Sequence, residues 1–350
     1  MRHAQAVATI HKVSVIHIIS DDTVTEDYID FNTENNLNIY IGYVRKTKNP
    51  ILKIRRFWKL YNQILKKVDA FDVVHLNEIF PFGIFALQLK NKFRKPYIIS
   101  EHWTGYLASQ KSGVSFFEKF ISKKIVKNAD FVCPVSELLQ QHMLNFGLKG
   151  NYNIVPNVVD TNLFIPKNTT NNSFTLIHVS GMNNAQKNIS GMLEVAKKLE
   201  DKIGTFTWNF IGGSDVEFSN LIEKLNFKKA TINFIHHISQ KQLASYLQEA
   251  NICVSFSNYE TFGLVMAESI ACGTAVISTN TGFLAQAKTE EFFKIIQIKN
   301  EEKLLQEILN IHENKRQVNK EKMHEYITEK YSVSIIAKTF SSLYDKILKN

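Results

Sequence analysis

The sequence predicts an α/β protein of two doubly wound halves, and three observations carry that prediction. Short apolar runs alternate with helical patterns along most of the chain, as in parallel strands joined by crossover helices. The alternation restarts after the polar stretch Lys167–Ser173, which reads as a linker. A chain of 350 residues is also long enough to bury two separate cores.

The elements follow in chain order. Met1–Ala8 patterns as an amphipathic helix, Val13–Ile19 and Leu37–Val44 as strands. A helix across residues 51–67 interleaves Ile51, Ile54, Phe57, Trp58, Leu60, Tyr61, Ile64 and Leu65 with Lys53, Arg55, Arg56, Lys59, Lys66 and Lys67. Strand Val73–Leu76, helix Phe82–Lys92, strand Tyr97–Ser100, a helix from about Ser115 to Asn128 and strand Phe131–Pro134 come next. Ser136 is placed to cap the helix that follows. The second half reads strand Thr175–Val179, helix through Met192–Leu199, strand Phe206–Ile211, helix Asp215–Leu225, strand Thr231–Ile235 and helix Lys241–Glu249. It ends with a strand at Ile252–Phe256, a turn, the helix Leu264–Ala271 closed by Gly273, and a strand at Ala275–Ser278. Tyr331–Leu348 is a last helical pattern, and no internal repeat is visible.

Composition narrows the function classes. A hydrophobic fraction of 44% with 21% charged residues is that of an ordinary globular protein. No apolar run reaches the roughly 18–20 residues that span a bilayer, and no signal-peptide pattern is read, so a cytoplasmic protein is expected. Cys133, Cys253 and Cys272 are too few and too scattered for a disulfide framework or zinc site. The net charge of +9 is crowded into the 45–67 region, where the basic amphipathic helix suits an anionic membrane surface, or simply a solvated face above a packed one. No nucleic-acid-binding module accompanies that charge.

The most informative stretch is Ser257-Asn258-Tyr259-Glu260-Thr261-Phe262-Gly263-Leu264-Val265-Met266-Ala267-Glu268. Its turn lies at the carboxyl end of a strand, where parallel sheets bind ligands. The open N–H groups of Phe262, Gly263 and Leu264 would face an anion, assisted by the helix dipole. Glu260 sits in that turn and Glu268 about two helical turns on, so the pair can reach different parts of one elongated ligand. Each residue singly has a plain structural reading, a solvated Glu or a turn Gly.

Taken together, E-x-F-G-x-x-x-x-E resembles the signature of the family-4 retaining glycosyltransferases, whose GT-B fold sets two Rossmann-like domains across a cleft. The resemblance implies that Glu260 contacts the transferred sugar, Glu268 the ribose, and Phe262–Leu264 the sugar and diphosphate between. Ala271-Cys272-Gly273-Thr274 and Ile154–Asp160, with its Pro156-Asn157, also resemble family stretches. Glu101-His102-Trp103 follows a strand; the resemblance places His102 beside the sugar, with Glu101 and Trp103 shaping the pocket. Lys187 is implied to meet the donor diphosphate, and Gly213, in Gly212-Gly213-Ser214, to line the nucleotide, with Ile235-His236-His237 along the base. No metal is expected, since Lys187 and a helix terminus supply the positive field; Asp21-Asp22 reads as a loop cap. The implied division is an acceptor-side domain at 1–165, a nucleotide-sugar-binding domain at 166–330, and a crossover helix at 331–350.

Two departures bear on activity. The family places an apolar strand and a Gly-rich turn before a helix like Met1–Ala8, so roughly 20–25 residues of that kind are expected to be lacking here. The family's Arg in the turn after Val179 falls on Gly181 or Met182. The expected function is sugar transfer from a nucleotide-sugar donor to a glycan or lipid-linked acceptor hydroxyl. The rivals are a binding-only relative and a nucleotide-sugar epimerase.

Overall fold

The computed structural model describes residues 1–107, 114–168, 173–285, 287, 292–314 and 319–349. The middle of the expected linker and residues 108–113 lie outside the described residues.

The first half runs α1 (Arg2–Ala8), β1 (Val13–Asp21), β2 (Tyr28–Glu34), β3 (Leu37–Arg45), α2 (Pro50–Leu65), β4 (Val74–Asn77), α3 (Gly83–Phe93), β5 (Tyr97–Glu101), α4 (Phe116–Asn128), β6 (Phe131–Pro134) and α5 (Glu137–Phe146). The second half runs β7 (Thr175–Val179), α6 (Asn184–Lys187), α7 (Ile189–Ile203), β8 (Thr207–Ile211), α8 (Ser219–Leu225), β9 (Thr231–Ile235), α9 (Gln240–Glu249), β10 (Ile252–Ser255), α10 (Leu264–Ala271), β11 (Ala275–Thr279) and β12 (Phe293–Ile296). Helices α11 (Glu301–Asn314), α12 (Lys320–Tyr331) and α13 (Val333–Leu348) close the chain.

Local chemistry sets many of the boundaries. Asn49 caps α2 through the N–H groups of Ile51 and Leu52, with Pro50 at the first turn. Ser115 and Glu118 form a reciprocal capping box on α4, and Ser239 and Gln242 do the same on α9. Ser136 accepts from Leu139 N–H at the start of α5, as its position predicts. The Asp21 carboxylate accepts from the backbone and hydroxyl of Thr23, which is the loop-capping role expected of that acid.

The second half is one parallel sheet in the order β12-β11-β10-β7-β8-β9, reversing direction of growth between β7 and β10. Ligands of doubly wound sheets sit at such a switch point. The first half is interrupted, as the expected lack of its first strand implies. It forms two three-stranded sheets, β1-β3-β2 and β4-β5-β6. Strands β1 and β4 have no ladder with each other. They share a side-chain cluster instead, in which Ile16, Ile18, Val74, Phe82 and Leu89 pack. The antiparallel strand β2 was invisible in the apolar pattern because it is an edge strand that is mostly exposed.

The chain end returns to its beginning. Tyr331 closes α12, and α13 buries Ile336, Ala337, Phe340 and Leu343 against Ala6, Val7, Ile98 and Cys133. All three cysteines are buried free thiols.

Candidate active site

Three turns at the carboxyl ends of β7, β8 and β10 meet at the switch point. The β7 turn is shaped by His178, buried at the end of an apolar strand. Its Nδ1 bonds to the Val254 carbonyl at 2.8 Å and its Nε2 to Ser180 Oγ at 2.9 Å. Burial is the main cause that lowers the His178 pKa to about 4, so the ring is neutral near pH 7. Ser180 in turn accepts from Met182 N–H at 3.1 Å, and Met182 adopts a left-handed φ of 57°. Gly212 follows β8 with φ 109°, where a Cβ would stand 2.4 Å from the Ser180 carbonyl oxygen, so only glycine lets these two turns touch.

The β10 turn carries the paired acids. Asn258 docks it onto α6, donating through N–H to Gln186 O at 2.7 Å and through Nδ2 to Ala185 O at 2.9 Å. This docking brings Lys187 Nζ against Glu260 Oε1 in a close ion pair between two nearly buried side chains. Ser257 Oγ donates to the same carboxylate oxygen at 2.9 Å. Phe262 is buried, its ring stacked on Phe283 at 5.0 Å and edge-on to Tyr331 at 5.7 Å. Its ring therefore anchors the turn from beneath. Gly263 caps α10 in a left-handed φ of 82°, with Leu264 as first helical residue.

A cavity of about 250 Å³ opens over these groups. Lys187, Glu260, Gly263 and Leu264 line it, together with His178 and Ser255. One side thus offers an ammonium and the start of a helix, both attracted to an anion, and a carboxylate stands beside them.

Glu268 lies beyond the cavity lining, buried on α10. Arg2 Nη2 approaches its Oε1 to 2.7 Å as an ion pair, and no described donor makes a well-aligned hydrogen bond to that oxygen. Burial raises the Glu268 pKa, while Arg2 pulls it down. Arg2 also donates to Val158 O at 3.2 Å, so it ties α1, the Pro156-Asn157 stretch and α10 together. A second tie crosses the halves where Ser136 Oγ donates to Thr261 O at 2.6 Å.

His102 follows β5, its ring 5.1 Å from that of His3. Burial first, and the chain-terminal ammonium second, lower its pKa to about 4 against a hydrogen bond with Asn157. His3 is held by the Pro156 carbonyl at 2.8 Å and is likewise lowered by burial. Glu101, expected to shape the pocket, is not among the residues lining the cavity over Lys187 and Glu260. It is fully buried and accepts from the N–H groups of Ile79, His102 and Trp103, fixing the loop that presents His102. Burial pushes its pKa up to about 7.

A family model described as Glycosyltransferase Family 4 matches residues 4–163, and one described as Glycosyl transferases group 1 matches residues 160–332. The chain belongs to the group 1, family 4 glycosyltransferases. An uncharacterized glycosyltransferase of Methanocaldococcus jannaschii is 24% identical over 315 residues, 86% of this chain and 84% of that one. An alpha-monoglucosyldiacylglycerol synthase of Acholeplasma laidlawii is 24% identical over 327 residues, 84% of this chain and 80% of its own. A sucrose-phosphate synthase from Thermosynechococcus elongatus superposes with a TM-score of 0.80 at 21% identity, covering 99% of this chain and 92% of that one. The shared architecture is GT-B. Neither the epimerase reading nor the binding-only reading gains support from these matches.

Within this glycosyltransferase, the structure gathers Lys187, Glu260, Gly263 and Leu264 on one cavity. Gly213 sits one turn away, where a Cβ would meet Met182 Cγ at 2.5 Å. Glu268 and His102 stand apart from the cavity, each beside a residue of α1: Arg2 and His3. His236 and His237 are exposed and take no part in it. The sequence reading missed Arg2, His3, His178 and Ser257. His178 alone left a signal, as a polar residue in an otherwise apolar strand, whereas Arg2 and His3 reach the site only through the packing of α1 on α13.

Proposed function

We propose that this glycosyltransferase moves a sugar from a nucleotide-sugar donor to the hydroxyl of a glycan or lipid-linked acceptor, with retention at the anomeric carbon. The observation that carries this reading is the cavity bounded by Lys187, Glu260 and the start of α10. The donor diphosphate lies against the open N–H groups of that helix and the Lys187 ammonium. Negative charge grows on the departing diphosphate, and both groups are positioned before it appears. Their field meets the electrostatic need without a metal ion.

Glu260 orients the sugar. Its carboxylate is held by Lys187 and Ser257, so donor binding shares Lys187 between Glu260 and phosphate. Glu268 takes the ribose hydroxyls, its buried carboxylate held in place by Arg2 and still able to accept from them. His102, neutral at physiological pH, faces the transferred sugar from the first half. The glycolipid product named for the Acholeplasma relative supports a lipid acceptor, and the basic helix α2 supports attachment at an anionic surface.

Donor turnover by the purified chain tests the reading. Glu268→Ala is expected to weaken nucleoside diphosphate binding by roughly tenfold or more, the cost of one charge-assisted hydrogen bond. Glu260→Ala is expected mainly to lower kcat. Sugar transfer at the parent rate by both variants would refute the assignment of the acidic pair.

A further inference from the structure

Large apolar side chains stand out from the first half at the opening turns of two helices. On α4, Phe116, Phe117 and Phe120 are exposed by 88%, 67% and 60%. On α2, Ile51 and Ile54 are exposed by 70% and 58%. A single exposed hydrophobe is ordinary, but three phenylalanines within five residues are not.

Their position follows from topology. Helix α4 comes after β5, as His102 does, so its first turn lies toward the carboxyl end of that strand, the end that carries His102. Helix α2 likewise starts after β3, whose parallel pairing with β1 puts its opening turn at the carboxyl end of its own sheet. The two apolar turns therefore sit on the ligand-facing ends of the first-half strands.

Charge identifies the occupant. Lys123, Lys124 and Lys127 are exposed on α4, and its one acid, Glu118, is engaged in the capping box with Ser115. Helix α2 exposes Lys53, Arg55 and Lys59 and contains no acid at all. Aromatic side chains at one end of a lysine-rich helix match the headgroup region of an anionic bilayer, with rings entering the acyl boundary and ammonium groups at the phosphates. We propose that the first turn of α4, through Phe116, Phe117 and Phe120, inserts into an anionic membrane surface and sets the His102 side of the cleft against the lipid. The proposal deepens the lipid-linked acceptor reading: α4 supplies the apolar insertion, and α2 adds electrostatic attraction beside it.

Co-sedimentation of the full chain with phosphatidylcholine vesicles, with and without phosphatidylglycerol, tests this. Binding is expected only when phosphatidylglycerol is present. The triple variant Phe116→Ser/Phe117→Ser/Phe120→Ser is expected to lower the partition coefficient by about tenfold or more. Lys123→Glu/Lys124→Glu/Lys127→Glu is expected to remove the preference for phosphatidylglycerol. Circular dichroism and nucleoside diphosphate affinity, both unchanged in the Phe variant, establish that it is folded and that its donor site is intact. Equal sedimentation of the parent and the Phe variant, or no binding of the parent to either vesicle, overturns the proposal. Failure of the parent to bind nucleotide would instead sink the donor-site reading and leave the vesicle result standing.

Discussion

Lys187 and Glu260 act as a unit. The lysine neutralises a nearly buried carboxylate and lines the cavity beside the α10 start, so one residue serves both stability and anion attraction. Of the two cations the family resemblance implies beside the diphosphate, Lys187 alone is present, and position 181 has room for a side chain. A Cβ at Gly181 meets nothing within 4 Å, and the residue does not have a left-handed φ. Met182, by contrast, is buried in a left-handed conformation against the Ser180 turn. Gly181→Arg is therefore expected to fold normally and to tighten nucleoside diphosphate binding several-fold, because a guanidinium can grip phosphate with two parallel bonds. Isothermal titration checks it, and unchanged affinity would place position 181 out of reach of the diphosphate.

At the scale of the element, the β10–α10 turn owes its shape to what lies beneath it. Phe283 N–H donates to Phe262 O at 2.9 Å, and Gly282, at φ 61°, brings its backbone so close that a Cβ would lie 2.1 Å from that same oxygen. Gly282→Ala must move the backbone of Phe262 or strain its own, at a cost on the order of 1–3 kcal/mol. The expected outcome is a lower urea midpoint together with a loss of kcat, since the displaced backbone belongs to the turn proposed to hold the donor. A variant that loses stability but keeps full turnover would show that the turn tolerates displacement. The strand–turn–helix unit around this turn was legible in the sequence because two apolar runs bracket a helical period. The edge strand β2 was not, because an exposed ribbon paired on one side carries little hydrophobic alternation.

Across the whole molecule, burial has silenced a set of imidazoles. His75 is lowered to about 3, His102 and His178 to about 4, and His3 well below its ordinary value, all chiefly by burial. Between pH 6.5 and 4 the unfolded chain binds protons that the folded chain refuses, so stability falls as pH falls through that window. Glu101, raised to about 7, works in the opposite sense: its folded form holds a proton that the unfolded form releases, so its contribution declines as pH rises from 4.5 to 7. Glu268 shifts in the same direction as Glu101. With His17 also lowered and Glu78 also raised by burial, five imidazoles outweigh three carboxyls, and the urea midpoint is expected to drop on going from about pH 6.5 to about pH 4. A flat or rising midpoint would mean that these rings are charged in the folded protein.

By itself the amino-acid sequence determined the class of fold and the stretch on which the proposed donor site rests. Period and spacing are local properties, and the acids, glycine and helix of residues 260–268 lie within one continuous stretch. Only the tertiary structure decided how the first-half strands group into two sheets, and that Arg2 meets Glu268 and His3 meets His102. Those contacts join residues about 100 to 270 positions apart, and nothing in a local pattern encodes a meeting that arises from α1 packing on the returning helix α13. The same holds for the phenylalanines of α4. Their apolar character is plain in the sequence, but only the packing of α4, which buries Ile125 and Val126 on its other face, shows that they are left facing outward.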